Sequence, residues 1–139
     1  MLSTRQYPRE PLVARLAEAR DLSDDLFGLL RPGALAERPI PERHRLIFYL
    51  GHLEAFDANL FARPEPAAPS TGALNRLFAF GIDPVDGGLP DEPASAWPSE
   101  AEVRSYGAGA RKAVDHCLLE SSFEEPSTEG HRLLHTAIE

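Results

Sequence analysis

Apolar residues recur at three-and-four spacing through PERHRLIFYLGHLEAFDANLF, residues 41–61. Leu46, Tyr49, Leu50, Leu53, Phe56 and Leu60 fall on one face of a helix with 3.6 residues per turn. Pro41 suits the first helical position, where a missing N–H costs nothing, so the pattern predicts a helix over 41–61. The same reading predicts a helix from Pro11 to Leu30, with Leu12, Leu16, Ala19, Leu26 and Leu30 on one side and Arg31-Pro32-Gly33 as its stop. Ala73 to Phe80 reads as a short helix ended by Gly81. A further long helix opens at Ser99, where Ser99 and Glu102 make the S-x-x-E capping box. Its predicted seam is Val103, Tyr106, Ala110, Ala113 and Cys117. After Pro126, Ser127 or Thr128 can cap a last helix, GHRLLHTAIE.

Between these windows lie the 13 prolines, which a helix interior excludes. The segment ARPEPAAPSTG reads as loop, and IDPVDGGLPDEPASAWP, with four prolines and two glycines, holds no predicted regular element. The connection from 62 to 98 is too long for a tight bundle turn. It carries Phe78, Phe80 and Trp97, which are expected to pack back on the core rather than leave an exposed apolar patch. The architecture this predicts is all-α: an antiparallel four-helix bundle with a long crossover between its second and third long helices. Leu46, Leu50, Leu53, Val103 and Leu134 are the residues expected to be largely buried.

Composition narrows the picture a little. A chain of 139 residues, 42% hydrophobic and 26% charged, is ordinary for one globular domain. A formal charge of −8 argues against nucleic acid and anionic membrane as main partners. The single cysteine, Cys117, excludes an internal disulfide and fits a reducing cytoplasm. The N-terminus lacks the apolar core of a signal peptide, and no run approaches the length of a membrane span. The expected compartment is therefore the cytoplasm.

Histidine is where chemistry enters. His52 borders the apolar stripe of 41–61, midway along a long helix, and Gly51 beside it leaves room for a neighbouring backbone or a ligand. It reads either as a residue hydrogen-bonded at a helix–helix seam or as a ligand reaching into a bundle interior. His131 and His135 are four apart, on one face of the last helix, and Glu139 continues the row. Such a pair with one histidine from another helix can hold a divalent ion such as Zn, Fe or Ni with positions left open. The spacing alone is a weak signal. Cys117 reads as a small core residue, His116 as exposed, and Arg15, Glu18, Arg20 and Asp24 as a solvated helix face. No P-loop, dinucleotide-binding turn, zinc-finger pattern or internal repeat is present in the sequence.

The segments RLIFYLGHLEAFDANLF, LFAFGIDP and PASAWPSEAEVRSYGAGARKAV resemble the DinB-like helical domain that precedes formylglycine-generating-enzyme-like domains in the ergothioneine-biosynthesis sulfoxide synthases. The resemblance spans roughly residues 10–139, with L-G-H and W-P-S-x-x-E-V-x-x-Y its most specific parts. It implies that His52 is an iron ligand and that Fe(II) is the cofactor. It also implies a histidine-derived betaine and a small thiol or amino acid as substrates of the full-length protein, joined by a C–S or C–Se bond. The family's other two ligands come from H-x-x-x-H-x-E in the last helix. Here His131-x-x-x-His135 is followed by Thr136-Ala137, so the glutamate expected at 137 is missing. His131 and His135 are then either that pair in a divergent domain or bystanders upstream of it, the second being preferred. On that reading residues 1–139 form one domain, the N-terminal part of a longer protein, with its last helix truncated, no tight metal binding and no activity alone. The alternatives are a stand-alone DinB-type metal-dependent thiol S-transferase and a metal-free helical module for docking or homodimerisation.

Overall fold

The computed structural model describes residues 9–61, 69–79 and 93–120. Four α-helices and two short 3₁₀ turns make up the described residues, and no strand occurs among them. Helix α1 spans Arg9–Gly28, α2 Leu46–Phe61, α3 Pro69–Phe78 and α4 Glu100–Glu120. The 3₁₀ turns are Ala34–Ala36 and Ala94–Ala96. No helix among the described residues is long and apolar enough to cross a membrane.

Helix α1 gives way after Gly28, as the N–H groups of Leu29 and Leu30 bond back three residues to Leu26 and Phe27 (both 3.2 Å). Pro32 cannot continue the helix, and Gly33 takes a left-handed φ of 83° that turns the chain. Leu35 of the following 3₁₀ turn is buried. The predicted start of the second helix at Pro41 is overturned. The Arg43 N–H bonds to the Ile40 carbonyl at 3.2 Å, which makes Pro41 the second residue of a β-turn, a position its fixed φ also suits. The Leu46 N–H then reaches back to the Glu37 carbonyl (3.0 Å), so residues 37–45 form a strap and α2 begins only at Leu46.

The face that α2 buries also differs from the predicted stripe. Ile47, Phe48, Gly51, Glu54 and Ala55 are buried, while Leu53 is 45% and Phe56 43% exposed. Leu46, Tyr49 and Leu50 are half-buried at the edges. Nearly every turn of α2 carries apolar residues all round, so periodicity located the helix but could not choose between its two apolar faces. On α4 the buried positions are Val103, Gly107, Val114 and Leu118, and the predicted Ala113 is exposed. The capping box is present: the Ser99 N–H and hydroxyl both donate to Glu102 Oε2 at 2.7 Å, and the Glu102 N–H donates to Ser99 Oγ at 3.3 Å. Helix α3 starts four residues earlier than predicted, at Pro69, taking in 69–72 that read as loop. A 3₁₀ turn likewise occupies Ala94–Ala96, in a stretch that read as irregular.

Two apolar clusters result. One gathers Leu35, Ile47, Phe48, Ala55, Phe78 and Val103, with Trp97 and Tyr106 packed against it. The other is Leu16, Val114 and Leu118 with Val13, Ala58 and Phe61. Val103 therefore meets the start of α2 and Leu118 its end, so α2 and α4 run parallel, as the long crossover permits. The antiparallel order expected of the bundle does not hold for this pair. Helix α1, with Leu16 at the Leu118 end and Phe27 at the Val103 end, runs opposite to both. Leu26 of its predicted stripe is exposed, and Leu134 lies outside the described residues. Of the three crossover aromatics, Phe78 is fully buried and Trp97 half-buried against Phe48, as expected; Phe80 lies outside the described residues.

Candidate functional site

His52 lies one turn after Phe48 on α2, at the seam with α3. Gly51 makes that seam close: a Cβ there would overlap the Phe78 ring, so only glycine lets α3 come this near. The approach sets the Phe78 carbonyl against His52, and its Nδ1 donates to that oxygen at 2.6 Å. A carbonyl can only accept, so the proton sits on Nδ1 and, in the neutral ring, the lone pair sits on Nε2. The bond also satisfies one of the carbonyls that the end of α3 leaves without an intrahelical donor. No hydrogen bond to Nε2 occurs among the described residues.

The imidazole is held from the side as well. It stacks on the Phe48 ring (centroids 5.0 Å apart, planes 20°), and Phe48 stacks in turn on His44 (3.7 Å, 17°). Trp97 meets Phe48 edge-on at 6.4 Å, and Phe56 leans toward His52 at 6.4 Å. No local pattern in the sequence selects His44. It precedes α2, outside any predicted stripe, and is buried only because the strap folds back over Phe48. The Tyr49 hydroxyl accepts its backbone N–H at 3.3 Å.

A second constellation occupies the other side of α2. Arg111 of α4 donates in a fork to Asp24 of α1, Nη1 to Oδ2 and Nη2 to Oδ1, both at 2.7 Å. Its Nε also donates to Glu54 Oε1 at 2.8 Å. Arg20 of α1 reaches Asp115 of α4 at 2.7 Å. The hydrogen bond from Arg111 holds the Asp24 carboxyl below its ordinary range. Burial raises Glu54 in spite of the same guanidinium, and burial followed by the nearby Glu54 charge pushes Asp57 up to about 6. Arg20 and Asp24, which read as a solvated face, are thus inter-helix contacts. Each pairs with a residue some ninety positions away, and no local pattern signals that.

Of the three sequence-predicted ligands, His52 stands at the α2–α3 seam; His131 and His135 lie outside the described residues. Among the described residues no group of three or more His, Cys, Asp or Glu side chains is placed to share a metal ion. His116 is exposed, as expected, and Cys117 is a half-buried free thiol on α4. No protein-family model matches this chain, and no curated protein matches it.

Proposed function

We propose that this chain is a DinB-like helical module of a non-haem iron enzyme in which His52 is an iron ligand. The observation that carries the reading is the hydrogen bond from His52 Nδ1 to the Phe78 carbonyl. Metal-binding histidines characteristically donate their second ring N–H to a carbonyl or carboxylate. That bond fixes the tautomer, orients the ring and raises the basicity of the ligating nitrogen. Stacking on Phe48 adds the lateral constraint that a preorganised ligand needs. One anchored imidazole fits a single ligand position. His131 and His135, or residues beyond 139, would supply the others, and Fe(II) bound there would contribute a Lewis-acid and redox centre with open positions for substrate.

The expected closing element of a four-helix bundle is the helix that the sequence predicts after Pro126, with His131 and His135 four apart on one face of it. In this reading the protein is cytoplasmic, its substrates are a histidine-derived betaine and a small thiol or amino acid, and a second domain is required for C–S or C–Se bond formation. A self-contained thiol S-transferase would need all its ligands on this chain. The metal-free docking or dimerisation module has one observation in its favour: Leu22 and Leu26 on α1, and Leu29 just past its end, are exposed apolar residues.

Titration of the purified chain with Zn(II), and anaerobically with Fe(II), followed by imidazole NMR, separates these readings. The expected result is weak binding that moves the His52 ring first and is abolished in His52→Ala, with the variant's unfolding curve recorded alongside. Stoichiometric binding lost in both His52→Ala and His135→Ala would establish a self-contained three-histidine site. Binding that survives His52→Ala, or no response of His52 at millimolar ion, overturns the proposal and leaves the metal-free module.

A further inference from the structure

Helix α3 has ten residues, and its last one, Phe78, offers the carbonyl that His52 uses. A helix shorter than about 12–15 residues is marginal in water by itself, so α3 is held by what it touches. Two contacts secure its end, one from α2 and one from α4. From α2, the fully buried Phe78 ring occupies the space that a Cβ on Gly51 would need, and it meets Phe48 at 6.3 Å. From α4, Tyr106 packs on the same ring, centroids 5.3 Å apart, and its hydroxyl donates to Asn75 Oδ1 at 2.8 Å. Burial, and after it the Glu54 charge, raise the Tyr106 phenol above its ordinary range, so it stays protonated and donates. Asn75 belongs to the turn that carries Phe78: its backbone carbonyl accepts the Ala79 N–H at 3.1 Å. Tyr106 itself makes no hydrogen bond to His52 among the described residues.

We infer that Tyr106 is a positioning residue for His52: through Asn75 it holds the end of α3, so that the Phe78 carbonyl keeps the His52 proton on Nδ1. The link is a chain of direct contacts. It runs from the Tyr106 hydroxyl to Asn75, along the last turn of α3 to the Phe78 carbonyl, and from there at 2.6 Å to Nδ1. An imidazole that lacks such a bond passes its proton between its two nitrogens. With the bond made, the lone pair stays on Nε2, and that nitrogen alone is free to accept. The use of Nε2 for iron rests on the reading of His52 proposed above; the tautomer does not. A hydroxyl on α4 thus decides which nitrogen α2 presents, although it touches neither.

Long-range proton–nitrogen NMR of the intact chain, isotope-labelled in its histidines and held at about pH 8.5 where an imidazole is neutral, reads the tautomer with no metal added. The His52 signals are assigned by their absence in His52→Ala. Gly51→Ala would push Phe78 out of place and disturb the core, so two milder variants carry the test. Tyr106→Phe removes the hydroxyl and keeps a ring against Phe78. Asn75→Ala removes the acceptor, and alanine, the better helix former, does not weaken α3 locally. A net hydrogen bond corresponds to a factor of about 2 to 10, so each variant should lower the ratio of Nδ1–H to Nε2–H tautomer about two- to fivefold. Val114→Ala, in the apolar cluster that holds no α3 residue, should lose stability and leave the ratio unchanged. A proton on Nε2 in the unsubstituted chain, an unchanged ratio in either variant, or an equal fall in Val114→Ala would overturn the positioning role, whether or not His52 binds iron.

Discussion

The two sides of α2 are built on opposite principles. Toward α3 and the strap the contact is aromatic and close: His44, Phe48, His52, Phe78 and Trp97 stack or meet edge-on around a glycine that removes every obstacle to approach. Toward α1 the contact is a belt of charges in which Arg111 ties three helices together. The aromatic side gains from burial and dispersion, which depend on volume and hardly on pH. The charged side gains from hydrogen-bonded ion pairs whose cost of desolvation nearly offsets their attraction, so its balance shifts with protonation. One helix thus carries a rigid side that holds an imidazole still and a side that responds to solution conditions.

Removing a ring from the rigid side should produce the largest loss. Phe48 is fully buried and touches five aromatic or imidazole rings, so Phe48→Ala should cost about 3–5 kcal/mol in urea denaturation. Trp97 emission should shift to the red as its edge contact disappears. A loss below about 1 kcal/mol would mean that the stack contributes no packing, and the contrast between the two sides would fall.

On the charged side Arg111→Ala leaves Glu54, 9% exposed, without its partner. Removing one member of a fully buried pair costs about 3–5 kcal/mol, and the partial exposure of Arg111 places the expectation nearer 2–3. The defect should be pH-dependent. With the guanidinium gone, burial raises the Glu54 carboxyl further above its unfolded value, so the loss is greatest at pH 7 and shrinks toward pH 5 as Glu54 takes up a proton. Glu54→Gln in the same background should recover part of the loss at pH 7. A pH-independent defect with no such recovery would show that Arg111 acts by packing its stem alone.

The aromatic side was legible in part, where its signals are local, although its centre, Phe48, and its partner His44 stood outside the predicted stripe. Gly51 and His52 sit together in a proline-free apolar stretch, and Ser99 and Glu102 announce α4 within four residues. The charged side was not legible. Arg20 and Asp24 look like part of a solvated helix face, nothing local singles out Glu54 or Arg111, and the pairings of these residues span 57 to 95 positions. Turn chemistry explains the misplaced start of α2. Pro41 serves a β-turn as well as a first helical turn, and only the return of residues 37–45 over Phe48 decides between them. Most of the candidate site remains a reading of sequence, since of its three histidines only His52 lies among the described residues.

The smallest expected effect tests which face of α2 is the inner one. Leu53 belongs to the stripe that periodicity selected, together with Tyr49, Phe56 and Leu60, on the side of the helix away from Ile47, Gly51 and Ala58. Because 45% of its surface remains in water, Leu53→Ala removes only part of a leucine's burial and leaves no closed cavity. The expected loss is under about 1 kcal/mol, set against about 2–5 for a leucine enclosed on all sides. Val103→Ala, at a fully buried contact of α4 with the same helix, is the control that should cost more than Leu53→Ala although it removes fewer atoms. The reverse order, with Leu53→Ala at 2 kcal/mol or above, would show that the outer stripe of α2 is covered in solution and that periodicity had found a true core face.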